Sequence, residues 1–181
     1  MGRVSLIATK MVVTMVVAVI LAAGVALAAE IIGTNNGETR NGTPNNDIMY
    51  ARGGNDTFRG RDGNDQIDGG PGADELEGQN GGDHLSGLLG NDDVFGGPGR
   101  DDLLGGDGND VLRGQGDIDD YFGGDGVDNI VDSDGIDELN GGDGGDFLDA
   151  QDGLPSDIVN GGFGLDTCLV DPGDAVISCE M

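Results

Sequence analysis

From Asp47 to Asp146 an aspartate stands at every ninth position without a miss: Asp47, Asp56, Asp65, Asp74, Asp83, Asp92, Asp101, Asp110, Asp119, Asp128, Asp137 and Asp146. Two residues after each comes a nonpolar or aromatic side chain, from Met49 and Phe58 through Tyr121 to Leu139 and Leu148. Five residues ahead of each aspartate stands glycine, except at Ala51 and Asp132. Two residues ahead stands glycine again, except at Asn45 and Asp117. Three columns locked to one short period exclude an ordinary globular core and demand a stack of identical units, each covering the apolar side chain of the next.

The spacing carries its own chemistry. Glycine reaches positive φ at little cost and so allows a tight turn whose carbonyl oxygens converge. Calcium takes six to eight oxygens, and carboxylates with backbone carbonyls are suitable ligands. After each aspartate three residues can run as a short strand, and alternation turns the middle one into a shared core. Two nine-residue half-turns then make one coil, so residues eighteen apart stack as parallel neighbours about 4.8 Å away. Asp47 falls over Asp65 and Asp56 over Asp74. The twelve aspartates form ten such pairs, five on each edge, and stacked carboxylates repel one another unless a cation lies between them.

Five units fit G-G-x-G-x-D-x-U-x at every fixed position, among them Gly69-Gly70-Pro71-Gly72-Ala73-Asp74-Glu75-Leu76-Glu77 and Gly105-Gly106-Asp107-Gly108-Asn109-Asp110-Val111-Leu112-Arg113. On these residues the chain resembles the haemolysin-type (RTX) calcium-binding repeat family. The resemblance implies an all-β chain forming a right-handed parallel β-roll, with one Ca2+ between each stacked pair of turns, about ten ions in all. It implies ligands from the twelve aspartate carboxylates and from the turn carbonyls of the complete units, at Gly69, Gly72, Gly96, Gly99, Gly105, Gly108, Gly123, Gly126, Gly141 and Gly144. It also implies an extracellular location, where millimolar calcium suits weak sites. RTX toxins, proteases and lipases are similar to this chain only in their repeat region. Their C-terminal export signal is not carried over, because this chain begins with a segment of another kind.

In residues 1–29, Arg3 and Lys10 precede the apolar run Met11 to Ala23, and Ala26-Leu27-Ala28 is a small-x-small cleavage signal. This reads as a secretory signal peptide cut near Ala28. The alternative is an uncleaved anchor, since Met11 to Ala29 is long enough to span a bilayer. Residues 30–41 read as an N-terminal cap holding a decayed repeat, with Glu30-Ile31-Ile32 a first strand. Glu38 stands one period before Asp47, with Arg40 in the inward place. Residues 42–149 are the twelve units in phase. Residues 150–181 hold repeats shifted by two, with Asp157 and Asp166 as the next metal candidates, and a C-terminal cap. Pro155 stands where a turn glycine belongs and cannot take positive φ, so that turn must be built differently. Cys168 takes the inward place after Asp166, Ala175-Val176-Ile177-Ser178 is a strand candidate, and Cys179 can reach Cys168. Two cysteines in an exported chain favour a disulfide, the alternative being two free thiols. Seven coils are expected, about 33 Å long at strand spacing.

The whole chain has 8 basic and 35 acidic residues; without residues 1–29 it has 6 against 35, a net charge of −29. So acidic and glycine-rich a chain is expected to be disordered alone, and ten calcium ions would offset 20 of the 29 charges, coupling folding to metal. Nucleic acid is excluded as a partner by this charge, and no membrane is expected once the leader is removed. An enzyme is hard to assemble: the single histidine, His84, points outward, and the carboxylates serve more simply as ligands, so no catalytic residue is assigned. An adhesive or partner-binding face on a calcium-stiffened roll is the alternative function, a polysaccharide-acting enzyme a weaker one. The outward residues Phe95, Leu104, Phe122 and Phe147 name no partner.

Overall fold

The structure, a computed structural model, describes residues 28–179. The apolar run read as a signal peptide or anchor, through Leu27, lies outside the described residues. No helix occurs among those described. Seventeen strands alternate between two parallel sheets. One sheet holds Glu30–Ile32 (β1), Ile48–Tyr50 (β3), Gln66–Pro71 (β5), His84–Leu89 (β7), Asp102–Asp107 (β9), Asp120–Gly126 (β11), Glu138–Gly144 (β13), Ile158–Gly164 (β15) and Ala175–Ser178 (β17), in that order. The other runs from Thr39–Asn41 (β2) through Thr57–Asp62 (β4), Glu75–Asn80 (β6), Asp93–Pro98 (β8), Val111–Gly116 (β10), Asn129–Val131 (β12) and Phe147–Ala150 (β14) to Thr167–Val170 (β16).

From β3 to β14 each strand starts just after a lattice aspartate because the D-x-U-x run alternates, and alternation is the strand's period. The register step is eighteen residues: Ile67 pairs Leu85, Leu85 pairs Leu103, and Leu103 pairs Tyr121. The core is therefore a ladder of single side chains, Met49, Phe58, Ile67, Leu76 and their successors to Leu148 and Val159, all wholly buried. The outward residues stack as the period requires, with Leu104 paired to Phe122.

The roll is longer than the seven coils expected, with nine strands in one sheet and eight in the other. Residues at both ends supply the extra coils. At the start, Arg40 stacks on Phe58 in register and ion-pairs with Glu38 at 2.7 Å, so a charged residue occupies an inward place at the open end. At the other end the register step widens to twenty, with Leu139 on Val159 and Leu148 on Cys168. The two extra residues loop out after Ala150. There the positive-φ positions are Gly153 and Ser156, and Pro155 is spared, so this turn is indeed built differently. Cys168 and Cys179 form a disulfide with Cα atoms 6.0 Å apart, pinning the end of the chain to the last strand of the second sheet. Closing so short a loop stabilises this cap by about 2–3 kcal/mol.

Candidate metal centre

Parallel stacking places the aspartates in two continuous columns, one along each edge. On the first, Asp47 donates its backbone N–H to Asp65 Oδ1 at 2.7 Å. Asp65 donates likewise to Asp83 (2.7 Å), Asp83 to Asp101 (2.7 Å), Asp101 to Asp119 (2.8 Å), Asp119 to Asp137 (2.5 Å) and Asp137 to Asp157 (2.9 Å). The second edge repeats this from Asp56 through Asp74, Asp92, Asp110, Asp128 and Asp146 to Asp166, at 2.8 to 3.0 Å. All fourteen carboxylates named from the sequence are brought into these columns, each no more than 3% exposed.

In twelve of the fourteen, one oxygen is satisfied and the other is not. Oδ2 of Asp56, Asp65, Asp74, Asp83, Asp92, Asp101, Asp110, Asp119, Asp128, Asp137, Asp146 and Asp157 is buried with no hydrogen-bond partner. A buried, unpaired carboxylate oxygen costs several kcal/mol and calls for either a proton or a cation. Desolvation accordingly pushes Asp65, Asp74, Asp83 and Asp157 up to about 6, Asp92, Asp119 and Asp128 up to about 7, and Asp101 and Asp137 up to about 8. The backbone N–H bond from the previous coil pulls each back down, and for most of them neighbouring aspartates add to the rise.

The glycine columns surround these oxygens, in two roles that differ from each other. The glycine five residues ahead of the aspartate is needed for close approach. A Cβ on Gly105 would run into Asp110 Oδ2 and the Gly123 carbonyl oxygen, so the space left by the missing side chain is bounded by a carboxylate and a carbonyl. The carbonyls of Gly96, Gly105, Gly123 and Gly141 close in this way on Asp83, Asp92, Asp110 and Asp128 of the previous coil. The carbonyls of Gly72, Gly108, Gly126 and Gly144 face the second turn glycine of the next coil. Gly69 and Gly99 hold the same places beside the exceptional residues Ala51 and Asp117. In most units positive φ falls on the second turn glycine, Gly72 and Gly144 excepted, and on the residue four ahead of the aspartate, Thr43 and Ser133 excepted. That second position was not singled out from sequence: it is Gly106 (φ 115) in one unit, but Arg52, Arg61, Gln79, Leu88 and Gln115 in others, at φ 76 to 94. Asp117, replacing a glycine, keeps φ 77, as its short polar side chain allows.

An all-oxygen cradle of carboxylates and carbonyls, with no nitrogen or sulfur donor, suits a hard dication such as Ca2+. The RTX calcium-binding nonapeptide repeat (4 copies) matches residues 41–76, 77–112 and 122–153, more than half of the chain. The chain belongs to the RTX calcium-binding repeat family. No curated protein matches it. It is a calcium-binding repeat protein built as a parallel β-roll.

Three features of this RTX roll escape the nine-residue count. Asp174 accepts the N–H of Ser156 at 3.0 Å and of Asp157 at 3.3 Å, extending the first column by one carboxylate; its only sequence signal is the spacing Asp174-Ala175-Val176, with a step of seventeen. Asparagines just before the column residues form a second ladder, Asn109 N–H to Asn91 Oδ1 at 2.9 Å and Val127 N–H to Asn109 Oδ1 at 2.8 Å. Asp132 and Asp152 add carboxylates beside the first column. His84 is exposed, as its alternation requires, and faces Asp102 at 3.6 Å. Replacing Gly105 by alanine is expected to fill the cradle beside Asp110 and remove one calcium site while the rest bind, read as one ion fewer by equilibrium dialysis. An unchanged ion count would separate the glycine column from metal binding.

Proposed function

We propose that this chain is an exported, non-catalytic calcium-binding module whose roll folds as calcium enters the gaps between stacked turns. The observation that carries the reading is the set of twelve buried, unpartnered Oδ2 atoms, one per turn from Asp56 to Asp157, set against turn carbonyls. The ligands are the column carboxylates from Asp47 to Asp166 together with the turn carbonyls, those of Gly69, Gly72, Gly96, Gly99, Gly105, Gly108, Gly123, Gly126, Gly141 and Gly144 among them. Each inter-turn carboxylate bond marks one gap, six on each edge, so the described roll offers two gaps more than the ten counted in the lattice. Export is supported by the basic-apolar-small order of residues 1–29 and by the disulfide, which persists in oxidising compartments. No helix among the described residues is long and apolar enough to cross a membrane, and we place the mature roll, free of its leader, in solution at extracellular calcium.

Calorimetric titration of chelated protein tests this directly. The expected result is about ten to twelve calcium ions bound per chain, with midpoints of about 0.1–1 mM, and far weaker binding of magnesium, which is smaller and sheds water reluctantly. Fewer than about three ions, or equal response to magnesium, would refute the reading.

A further inference from the structure

Near the C-terminal end of the first column the pattern is broken in a way that adds charge. Asp132 replaces the glycine that ten of twelve units carry, and its carboxylate turns inward, 3% exposed. Backbone register sets Ala150 against Asp132, and the two-residue insertion that follows loops Asp152 back over it. Carboxylate oxygens of Asp132, Asp152 and Asp157 lie within 4.8 Å of one another, and Asp137 adjoins Asp132. The hydrogen bonds leave this group open. Asp132 Oδ1 accepts the Asp134 N–H at 3.3 Å, Asp157 Oδ1 the Asp137 N–H at 2.9 Å, and Asp152 the N–H groups of Gly135 (3.1 Å) and Leu154 (2.7 Å). Oδ2 of Asp132, Asp137 and Asp157 has no partner and is buried. Among the described residues the ion pairs engage Arg40, Arg59, His84 and Arg100, and none of them reaches these acids.

We propose that Asp132 and Asp152 join Asp137 and Asp157 of the first column to make the last gap on that edge a carboxylate-rich site for a hard cation, filled before the other gaps of the repeat. A repeat gap offers two column carboxylates and turn carbonyls; this one offers four carboxylates, and ligand charge is what tightens oxygen sites for calcium. Absence of nitrogen and sulfur donors disfavours zinc and copper. Asp152, half-buried at the insertion, leaves the site open to entering ions, while Asp132 and Asp157 form its floor. A cation here would tie the inserted loop to the coil before it and hold the C-terminal cap in register. Asp132 and Asp152 stand outside the aspartate columns, so replacing them tests this gap apart from the other repeat sites.

Tyr121 makes the test local to this end of the roll, and the order of filling makes it selective. Its buried ring lies close enough to Asp119, Asp132 and Asp137 for their charges to add to the rise that burial imposes on its hydroxyl pKa. The other tyrosine, Tyr50, sits four strands away in the same sheet, roughly 19 Å at strand spacing, and the chain has no tryptophan. Terbium, a trivalent mimic of calcium, emits when a nearby tyrosine passes it excitation energy. The first equivalent of terbium added to the chelated full chain is expected to give tyrosine-sensitised emission. Asp132→Gly should cut that emission several-fold and weaken the first calcium step by about tenfold or more. It restores the residue most units carry, so calcium-induced β-structure should survive. Asp152→Asn should act in the same direction, Tyr121→Phe should abolish emission without changing ion binding, and the exposed Asp143→Asn should change neither. Unchanged first-step emission and affinity in both Asp132→Gly and Asp152→Asn would overturn the proposal, even with every repeat site filled. One tight ion with no further binding would uphold it while removing the repeat sites.

Discussion

Chelated protein titrated with calcium will pass from a coil-like to a β-rich far-UV circular dichroism spectrum in one cooperative step, and chelator will return it. The size of the effect follows from charge and burial together. Without cations the chain must bury twelve unpartnered carboxylate oxygens in two columns whose members repel one another. Its core offers little to offset this, since each coil contributes one inward side chain per sheet and no second layer. Each ion bound only to the folded roll adds RT ln(1 + [Ca2+]/Kd), about 1.4 kcal/mol at ten times Kd. Ten sites would thus add roughly 14 kcal/mol, as much as the whole stability of an ordinary domain.

Cooperativity follows from the same geometry. Each internal aspartate gives Oδ1 to the N–H of the previous coil, so seating one carboxylate fixes the backbone of its neighbour. Coils contact only their neighbours, and folding spreads along the stack from whichever gap fills first. The titration should therefore be steeper than a single-site curve, and magnesium at the same concentration should leave the spectrum coil-like. A β spectrum already complete in chelator near neutral pH, unchanged by calcium, would show that folding is independent of the metal.

The lattice made the roll legible because its period fixes register: once Asp65 is known to stack on Asp47, the pairing of Ile67 with Met49 follows. The same count located all fourteen column aspartates and the inward ladder, including Cys168 across the two-residue slip. What it missed has physical causes. The position four ahead of the aspartate needs positive φ, but leucine, arginine and glutamine hold it at several coils, so no residue-type column advertises the requirement. Stacking strain of about 1–2 kcal/mol at Leu88 or Arg61 is tolerated because the neighbouring coils fix the turn. Asp174 lay hidden because the last half-coil, from Asp166, is eight residues long, so the step from Asp157 is seventeen; a bulge between Val159 and Asn160 then restores eighteen. Asp132 shows in the sequence only as a missing glycine, since a single sequence cannot show that an insertion twenty residues later returns Asp152 to the same place.

Proton and calcium should compete for the same oxygens, so acidity will act in opposite directions on the free and the loaded protein. In the metal-free roll the buried aspartates have pKa values raised to about 6 to 8, against 3.8 when exposed. A group whose folded pKa is raised holds its proton in the fold and loses it on unfolding. Its contribution is complete below the unfolded value and disappears as pH rises through the folded one. The chelated protein will therefore hold more β-structure near pH 5 than near pH 8, losing it across that window by about 1.4 kcal/mol per pH unit for each proton retained. An isoelectric point near 4.1 sets the lower limit of that experiment, since the chain will be poorly soluble there. With calcium the sign reverses. The ion needs both oxygens ionised, so each site displaces any proton still held, and the apparent midpoint will rise about tenfold per pH unit per proton as the solution is acidified from about pH 8 to pH 5.5. Circular dichroism midpoints at three pH values decide the matter. Falling midpoints with rising pH, together with acid-stabilised metal-free protein, mark Oδ2 as the shared ligand of proton and cation. A midpoint flat across the range would mean that calcium binds through turn carbonyls alone and that the buried carboxylates keep their protons in the folded roll.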